Sequence, residues 1–346
     1  MPMMVLVTGG AGFIGSHFAR HLLRASADYR VTVLDKLTYA GNLDNLRDLD
    51  GDPRYRFIAG DVADPECVQA VIGGGIDAIV HFAAETHVDR SILDAGAFVR
   101  TNVQGTQVLL DAALRHGVDR YIQVSTDEVY GPAPAGVAFA EDGPLNPSSP
   151  YAASKAAADL LCQAYRKTHG LPVVIARCTN NYGPYQFPEK FIPLMITNAL
   201  EGKPVPIYGD GQQERDWLFV EDHCAALHAL LQHHHPGPAF NIAAGRTVPN
   251  LVLAGMILDL VGAPRSLLEF VADRPAHDRR YALTPAQITA AVGWQPRWPL
   301  EDGLVQTVEW FRTHPAWWQA VKTGEYLRHY AAWYQERLGT CPRIAP

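Results

Sequence analysis

The segment Gly9-Gly10-Ala11-Gly12-Phe13-Ile14-Gly15 restricts this chain more than any other. A short apolar run, Met4–Thr8, leads into it, and a helical stretch from about Gly15 to Ala25 leaves it. A strand that turns this sharply into a helix needs Gly9 for the turn, Gly12 for close approach of the backbone to a ligand, and Gly15 for helix–strand packing. The helix start then presents unpaired N–H groups and a positive dipole end to a phosphate. Asp35, 20 residues past Gly15 at the end of the second predicted strand, completes a dinucleotide-binding pattern. A carboxylate there accepts two ribose hydroxyls and repels a 2′-phosphate, which favours NAD over NADP. Lys36 beside it softens that preference slightly.

The first 180 or so residues alternate β-branched runs with helical stretches. Predicted strands are Met4–Thr8, Val31–Asp35, Tyr55–Ala59, Ala78–Phe82, Tyr121–Ser125, Val173–Arg177 and Phe240–Ala243. This pattern is that of an α/β fold, a doubly wound Rossmann-type parallel sheet of about seven strands. The first helix places Phe18, Leu22 and Leu23 on one stripe and Arg20 and Arg24 on the other. After Cys178 the texture becomes dense in turn formers and aromatics. The expected division is a dinucleotide-binding domain over 1–178 with return segments near 217–245. Residues 179–216 and 246–346 would form a smaller, mostly C-terminal substrate-binding lobe, ending in a helix over Tyr326–Leu338.

A net charge of −7 argues against a nucleic-acid partner. Cysteines 67, 162, 178, 224 and 341 are scattered, which fits reduced thiols in a cytoplasmic protein. Met1-Pro2-Met3-Met4 carries no basic leader pattern, and no run of about 18 apolar residues exists to span a membrane.

Two further clusters carry chemistry. Tyr151 and Lys155 stand at i, i+4 and share a helix face. A free phenol, with a pKa of about 10, is a poor base at neutral pH. A neighbouring ammonium and a cationic nicotinamide would favour the phenolate and let Tyr151 take a proton from an alcohol. Ser125-Thr126-Asp127-Glu128 adds two carboxyl groups for which a plain alcohol dehydrogenase has no use. Consecutive strand residues point to opposite faces, so Asp127 and Glu128 must lie where a strand ends and the backbone turns. In a closed site, adjacent carboxyls separate their pKa values and leave one neutral, one ionised.

With these motifs in order, the chain resembles the extended short-chain dehydrogenases/reductases and, more narrowly, the dTDP-glucose 4,6-dehydratases. The resemblance runs through Asp35–Asn42, Glu85–Ser91, Ser125–Gly131, Arg177–Met195 and Asp273–Tyr281. It implies that Tyr151 deprotonates a sugar 4-hydroxyl while hydride passes to NAD. Glu128 then removes the C5 proton, Asp127 protonates the departing 6-hydroxyl, and Thr126 hydrogen-bonds near O4. Hydride returning to C6 leaves a 4-keto-6-deoxy sugar. For the cofactor it implies Phe13, Ile14, Lys36, Leu37, Thr38, Thr86, Thr101 and Asn181, besides the glycines and Asp35. Asp61 and Val62 at a strand end would flank the adenine, and the backbone of Phe82, Ala83 and Ala84 would lie along the cofactor.

For the nucleotide sugar the resemblance implies Thr86, Thr126, Asn180, Lys190, Phe191, Pro206, Ile207, Tyr208, Arg215, Asn250, Asp273, Arg274 and His277. It also implies a homodimer built on the helix around Val103–Leu114 and the one starting near Tyr151. One departure stands out: Ala276 replaces a usual glycine, and its methyl would tighten the pocket or shift the loop. Two alternatives of the same fold are a nucleotide-hexose 4-epimerase and a nucleotide-hexuronic acid decarboxylase, neither of which needs Asp127 to shed water. A third is a non-catalytic NAD-binding sensor or scaffold, which has no need of Tyr151, Lys155 and both carboxyls. His233-His234-His235 lacks nearby acidic or thiol ligands, so no metal is expected. Trp317, Trp318 and Trp333 read as packing residues, and Cys178 as an inert buried thiol.

Overall fold

The computed structural model describes residues 2–233 and 237–323. Most of the histidine tract, the predicted Tyr326–Leu338 helix, Trp333 and Cys341 lie outside them. Seven parallel strands form the main sheet: β1 (Met3–Thr8), β2 (Tyr29–Asp35), β3 (Tyr55–Ala59), β4 (Ala78–His81), β5 (Arg120–Thr126), β6 (Val173–Cys178) and β10 (Ala239–Ile242). Their order is β10-β6-β5-β4-β1-β2-β3. Val5, Val7, Ile79, Val80, Ile122, Val173 and Ile175 are buried, as both faces of a parallel sheet demand. The order reverses between β1 and β4, so the loops after these two strands part and open a crevice at their carboxyl ends.

The helix Phe13–Ala25 packs on this sheet through Phe18, Leu22 and Leu23. Arg20 departs from its expected place on the solvent face. It is buried, donating through Nε to Asp48 at 2.6 Å and through a terminal nitrogen to the Asn45 carbonyl at 2.7 Å. The helix Val220–Gln232 joins the same core through Val220, Cys224, Leu227 and Leu231.

A second core gathers Tyr182, Ile192, Met195, Trp217, Leu253, Leu304 and Phe311. It lies under a three-stranded sheet of β7 (Asn180–Tyr182), β9 (Glu214–Phe219) and β11 (Thr247–Pro249), and a parallel pair, β8 (Val205–Tyr208) with β12 (Leu268–Val271). The helices Phe191–Leu200, Asn250–Val261 and Leu300–Thr313 pack around it. β7 follows β6 after a single residue, Thr179, so the two cores meet beside the carboxyl end of β6.

Candidate active site

A cleft of about 300 Å³ runs along the carboxyl ends of β1, β2, β4, β5 and β6. Its floor is the glycine loop. A Cβ on Gly9 (φ 68°) would strike the Ala83 amide nitrogen at 2.6 Å, and one on Gly15 would strike the Gly9 carbonyl oxygen at 2.4 Å. A Cβ on Gly12 would meet only the Gly9 carbonyl oxygen, at 3.2 Å, so the space above it is open. No side chain caps the helix Phe13–Ala25 at Gly12. Uncapped N–H groups facing an open glycine loop suit a pyrophosphate.

Asp35 is buried at the end of β2 and accepts the Ala11 amide at 2.9 Å and the Leu37 amide at 2.8 Å. Lys36 pairs with Asp61 at 2.8 Å, and Arg100 pairs with the same carboxylate at 2.7 Å. The ammonium beside Asp35 is thus already engaged by a carboxylate. Thr38, Asp61, Val62, Phe82, Ala83, Ala84, Thr86, Thr101 and Asn181 line the same cleft. Leu37 does not: it is an exposed residue with φ 55°, where the chain swings around the Asp35 carboxylate.

β5 ends at Thr126, and Asp127–Tyr130 form a 3-10 turn. The turn breaks the strand's alternation, so both carboxyls reach the cleft. The Thr126 hydroxyl accepts the Glu128 amide at 3.2 Å and donates to Asp127 Oδ1 at 3.1 Å. Asp127 Oδ2 is buried with no partner among the described residues. Burial, with the charge of Glu128, pushes Asp127 up to about 8, so it carries a proton at neutral pH. Burial also raises Glu128, but Arg274, Arg215 and Lys190 pull it back.

Ser149 caps the helix Pro150–His169, its hydroxyl accepting the Ala152 amide at 3.1 Å, and Pro150 starts the first turn. Tyr151 therefore stands at the mouth of the helix and Lys155 one turn inside, both on the cleft wall. The ammonium of Lys155 donates to the Val124 carbonyl at 2.6 Å. Its charge is not among the leading influences on the Tyr151 phenol. Burial, with the charge of Glu128, raises Tyr151 well above the ordinary phenol value, against a hydrogen bond with Thr126.

Thr86, Thr126, Asn180 and Lys190 line the cleft, and Lys190 donates to the Thr86 carbonyl at 2.8 Å. Arg215 and Arg274 approach from the second core, within electrostatic reach of Glu128. Arg215 donates to the carbonyls of Glu214 and Asp278 at 2.8 and 2.9 Å, while Arg274 Nη1 is buried without a partner among the described residues. His277 meets Asp273 at 2.6 Å, and its ring lies 5.6 Å from that of Tyr208. Asn250 is buried, with Oδ1 unpartnered among the described residues. Phe191 stacks on Trp217 at 5.8 Å, and Pro206 and Ile207 are buried, Ile207 within the second core. Of the predicted substrate residues only Thr86, Thr126, Asn180 and Lys190 line the cleft itself; Phe191, Pro206, Ile207, Tyr208, Arg215, Asn250, Asp273, Arg274 and His277 do not.

Sequence reasoning missed four groups. Tyr39 lines the cleft with Arg90 above its ring at 3.8 Å, and buried Glu189 pairs with Arg90 at 3.2 Å. Tyr281 lies under the Arg215 guanidinium at 4.3 Å and accounts, after burial, for the largest influence on that cation. All four sit in segments that carry the resemblance, and only long-range packing reveals their contacts. Ala276 is exposed with φ 52°, so its methyl does not narrow the pocket; the left-handed backbone is what a glycine would favour there.

A glycine-loop nucleotide cleft joined to a tyrosine, a lysine and two carboxyls defines a class of dinucleotide-dependent sugar-modifying proteins. The chain belongs to the NAD dependent epimerase/dehydratase family, whose model matches residues 5–243. It is 53% identical over 321 residues to the dTDP-glucose 4,6-dehydratase of Streptomyces niveus, covering 92% of this chain and 95% of that one. The crystal structure of a Streptomyces venezuelae dTDP-glucose 4,6-dehydratase with NAD bound superposes with a TM-score of 0.90 at 50% identity, over 92% of this chain and all (100%) of that one. A Thermus thermophilus UDP-glucose 4-epimerase in complex with NAD gives a TM-score of 0.82 at 32% identity, over 90% of this chain and 100% of that one.

Proposed function

We propose that this protein is a nucleotide-sugar 4,6-dehydratase that converts dTDP-glucose to dTDP-4-keto-6-deoxyglucose, with NAD regenerated in each turnover. The observation that carries the reading is the pair on the 3-10 turn: a buried Asp127 that holds its proton next to a Glu128 that burial raises but three cations pull back. Loss of water from a hexose needs one group to give a proton and one to take one. A 4-epimerase needs neither.

NAD supplies a hydride acceptor and donor and a cationic ring that favours the Tyr151 phenolate. Asp35, Gly9, Gly12 and Gly15 would hold it, with Asp61, Val62 and the Phe82–Ala84 backbone alongside. Tyr151 takes the proton of the 4-hydroxyl, and the Thr126 hydroxyl orients that oxygen. Glu128 takes the C5 proton, made acidic by the neighbouring ketone. Asp127 gives its proton to the 6-hydroxyl, which leaves as water. Lys155 anchors the base of the site through Val124. Arg215, Arg274, Lys190 and His277 bind the diphosphate end, where forked guanidinium groups suit phosphate oxygens. In this reading residues 1–178 with the 217–245 return hold NAD, and 179–216 with 246–346 hold the nucleotide sugar.

We further infer a cytoplasmic homodimer. Cys67, Cys162, Cys178 and Cys224 are unpaired thiols, and no described helix is long and apolar enough to cross a membrane. Leu93, Val99 and Leu160, on helical segments that pack together, are 68, 55 and 55% exposed. The test of function is incubation with dTDP-glucose and, separately, UDP-glucose without added reductant. Formation of a 4-keto-6-deoxy sugar from the thymidine compound is expected. Unchanged substrate would defeat the reading, and a galactose epimer would favour the 4-epimerase.

A further inference from the structure

Behind the cleft wall, Arg177 of β6 is among the largest fully buried side chains of the protein. Its Nε donates to Asp159 Oδ2 at 2.8 Å, and one terminal nitrogen donates to the Tyr130 hydroxyl at 2.6 Å and the Glu141 carbonyl at 3.3 Å. Tyr130 in turn donates to Asn241 Oδ1 at 2.9 Å, and its ring faces the guanidinium at 4.8 Å. Asp159 lies one turn beyond Lys155 on the helix Pro150–His169 that carries Tyr151. Tyr130 closes the 3-10 turn that carries Asp127 and Glu128. Arg177 itself pairs across the sheet with Ser125, next to Thr126.

One guanidinium therefore ties the element that bears the phenol to the turn that bears the carboxyls. Both ties are charge-assisted and point in fixed directions, because the fork is planar and rigid. A buried pair of this kind adds little to stability against an apolar replacement, so holding the two elements in register accounts better for its presence.

Resting on the dehydratase reading, we propose that Arg177, with Asp159 and Tyr130, is a positioning group that sets Tyr151 and Lys155 in register with Asp127 and Glu128, so that C4 oxidation and water loss act on one bound sugar. Asp159 has a second effect. Lys155 is faced by Asp159 and Cys162 from its own helix, by Cys178 from β6, by His81 from β4 and by the Val124 carbonyl. Burial disfavours its charge, and Asp159 is the largest influence supporting it.

Removing Arg177 or Asp159 outright would strand a buried charge, so the test uses Tyr130→Phe and Arg177→Lys, which keeps the cation beside Asp159 and loses the fork. Single turnovers with dTDP-glucose are quenched with borodeuteride, and mass spectrometry separates sugar trapped as the ketone with its 6-hydroxyl intact from 6-deoxy product. In Tyr130→Phe the trapped fraction should rise about five-fold, with kcat down ~10-fold and KM little changed. Arg177→Lys should change the trapped fraction and kcat in the same direction. If one variant fails to fold, the other decides. An unaltered trapped fraction in a folded variant overturns the positioning role while the function stands. A wild type that leaves dTDP-glucose untouched overturns both.

Discussion

The Thr126 hydroxyl donates to one oxygen of Asp127 at 3.1 Å and leaves the other, Oδ2, buried and free to act. The same hydroxyl accepts the Glu128 backbone amide, so one side chain at the strand tip holds the Asp127 carboxyl and the turn that carries Glu128.

Asp127→Asn keeps this hydrogen bond and removes the proton donor. Water loss should slow by ~10²–10⁴-fold while C4 oxidation persists, so that the 4-ketone with its 6-hydroxyl accumulates. Equal loss of both steps would refute separate roles. The sign of the pH effect follows from the raised pKa. An acid that holds its proton more tightly when folded penalises folding as pH climbs. The penalty opens near the unfolded value of about 4 and stops growing near 8. Asp127→Asn should thus stabilise the protein on the order of 4 kcal/mol at pH 7 and not at all near pH 4, as read by denaturant titration at both pH values. In the wild type the elimination step should fade as pH rises through about 8.

Asp35 offers a buried carboxylate to the adenosine ribose, and Lys36 is held by Asp61. NADP should bind ~100-fold more weakly than NAD, about 2.7 kcal/mol. Asp35→Asn should narrow the gap by loosening NAD and tolerating the phosphate. Calorimetric titration of each dinucleotide reads both effects, and equal affinities for the wild type would remove the argument.

Ala276 stands at φ 52° on an exposed loop. Relief of left-handed strain in Ala276→Gly, ~1 kcal/mol, is partly offset by a freer unfolded chain. A rise in melting temperature of about 1–2 °C is expected, with the preference between thymidine- and uridine-linked glucose unchanged. A changed preference would return the methyl to a role in specificity.

Leu160 and Val99 are half-exposed on helices that pack together. If they form the core of a homodimer, Leu160→Asp should yield a monomer at micromolar concentration in sedimentation or scattering, because a buried unpaired charge opposes association. A wild type that already sediments as a monomer would exclude this surface.

What could be read from residue order was local. Gly9, Gly12 and Gly15, the strands of the main sheet, the i, i+4 pair Tyr151/Lys155 and the need for Asp127 and Glu128 to sit at a strand end all follow from steric rules acting over a few neighbouring residues. Tertiary structure decided what depends on burial and on partners far along the chain. It placed the proton on Asp127, turned Lys155 to Val124, drew Arg20 inside to Asp48, and brought Arg177 between Asp159 and Tyr130. It also set Tyr281 beneath Arg215 and gave Ala276 its left-handed backbone. Desolvation and charge pairing are sums over the surrounding volume, and that volume is filled by residues that spacing along the chain does not bring together.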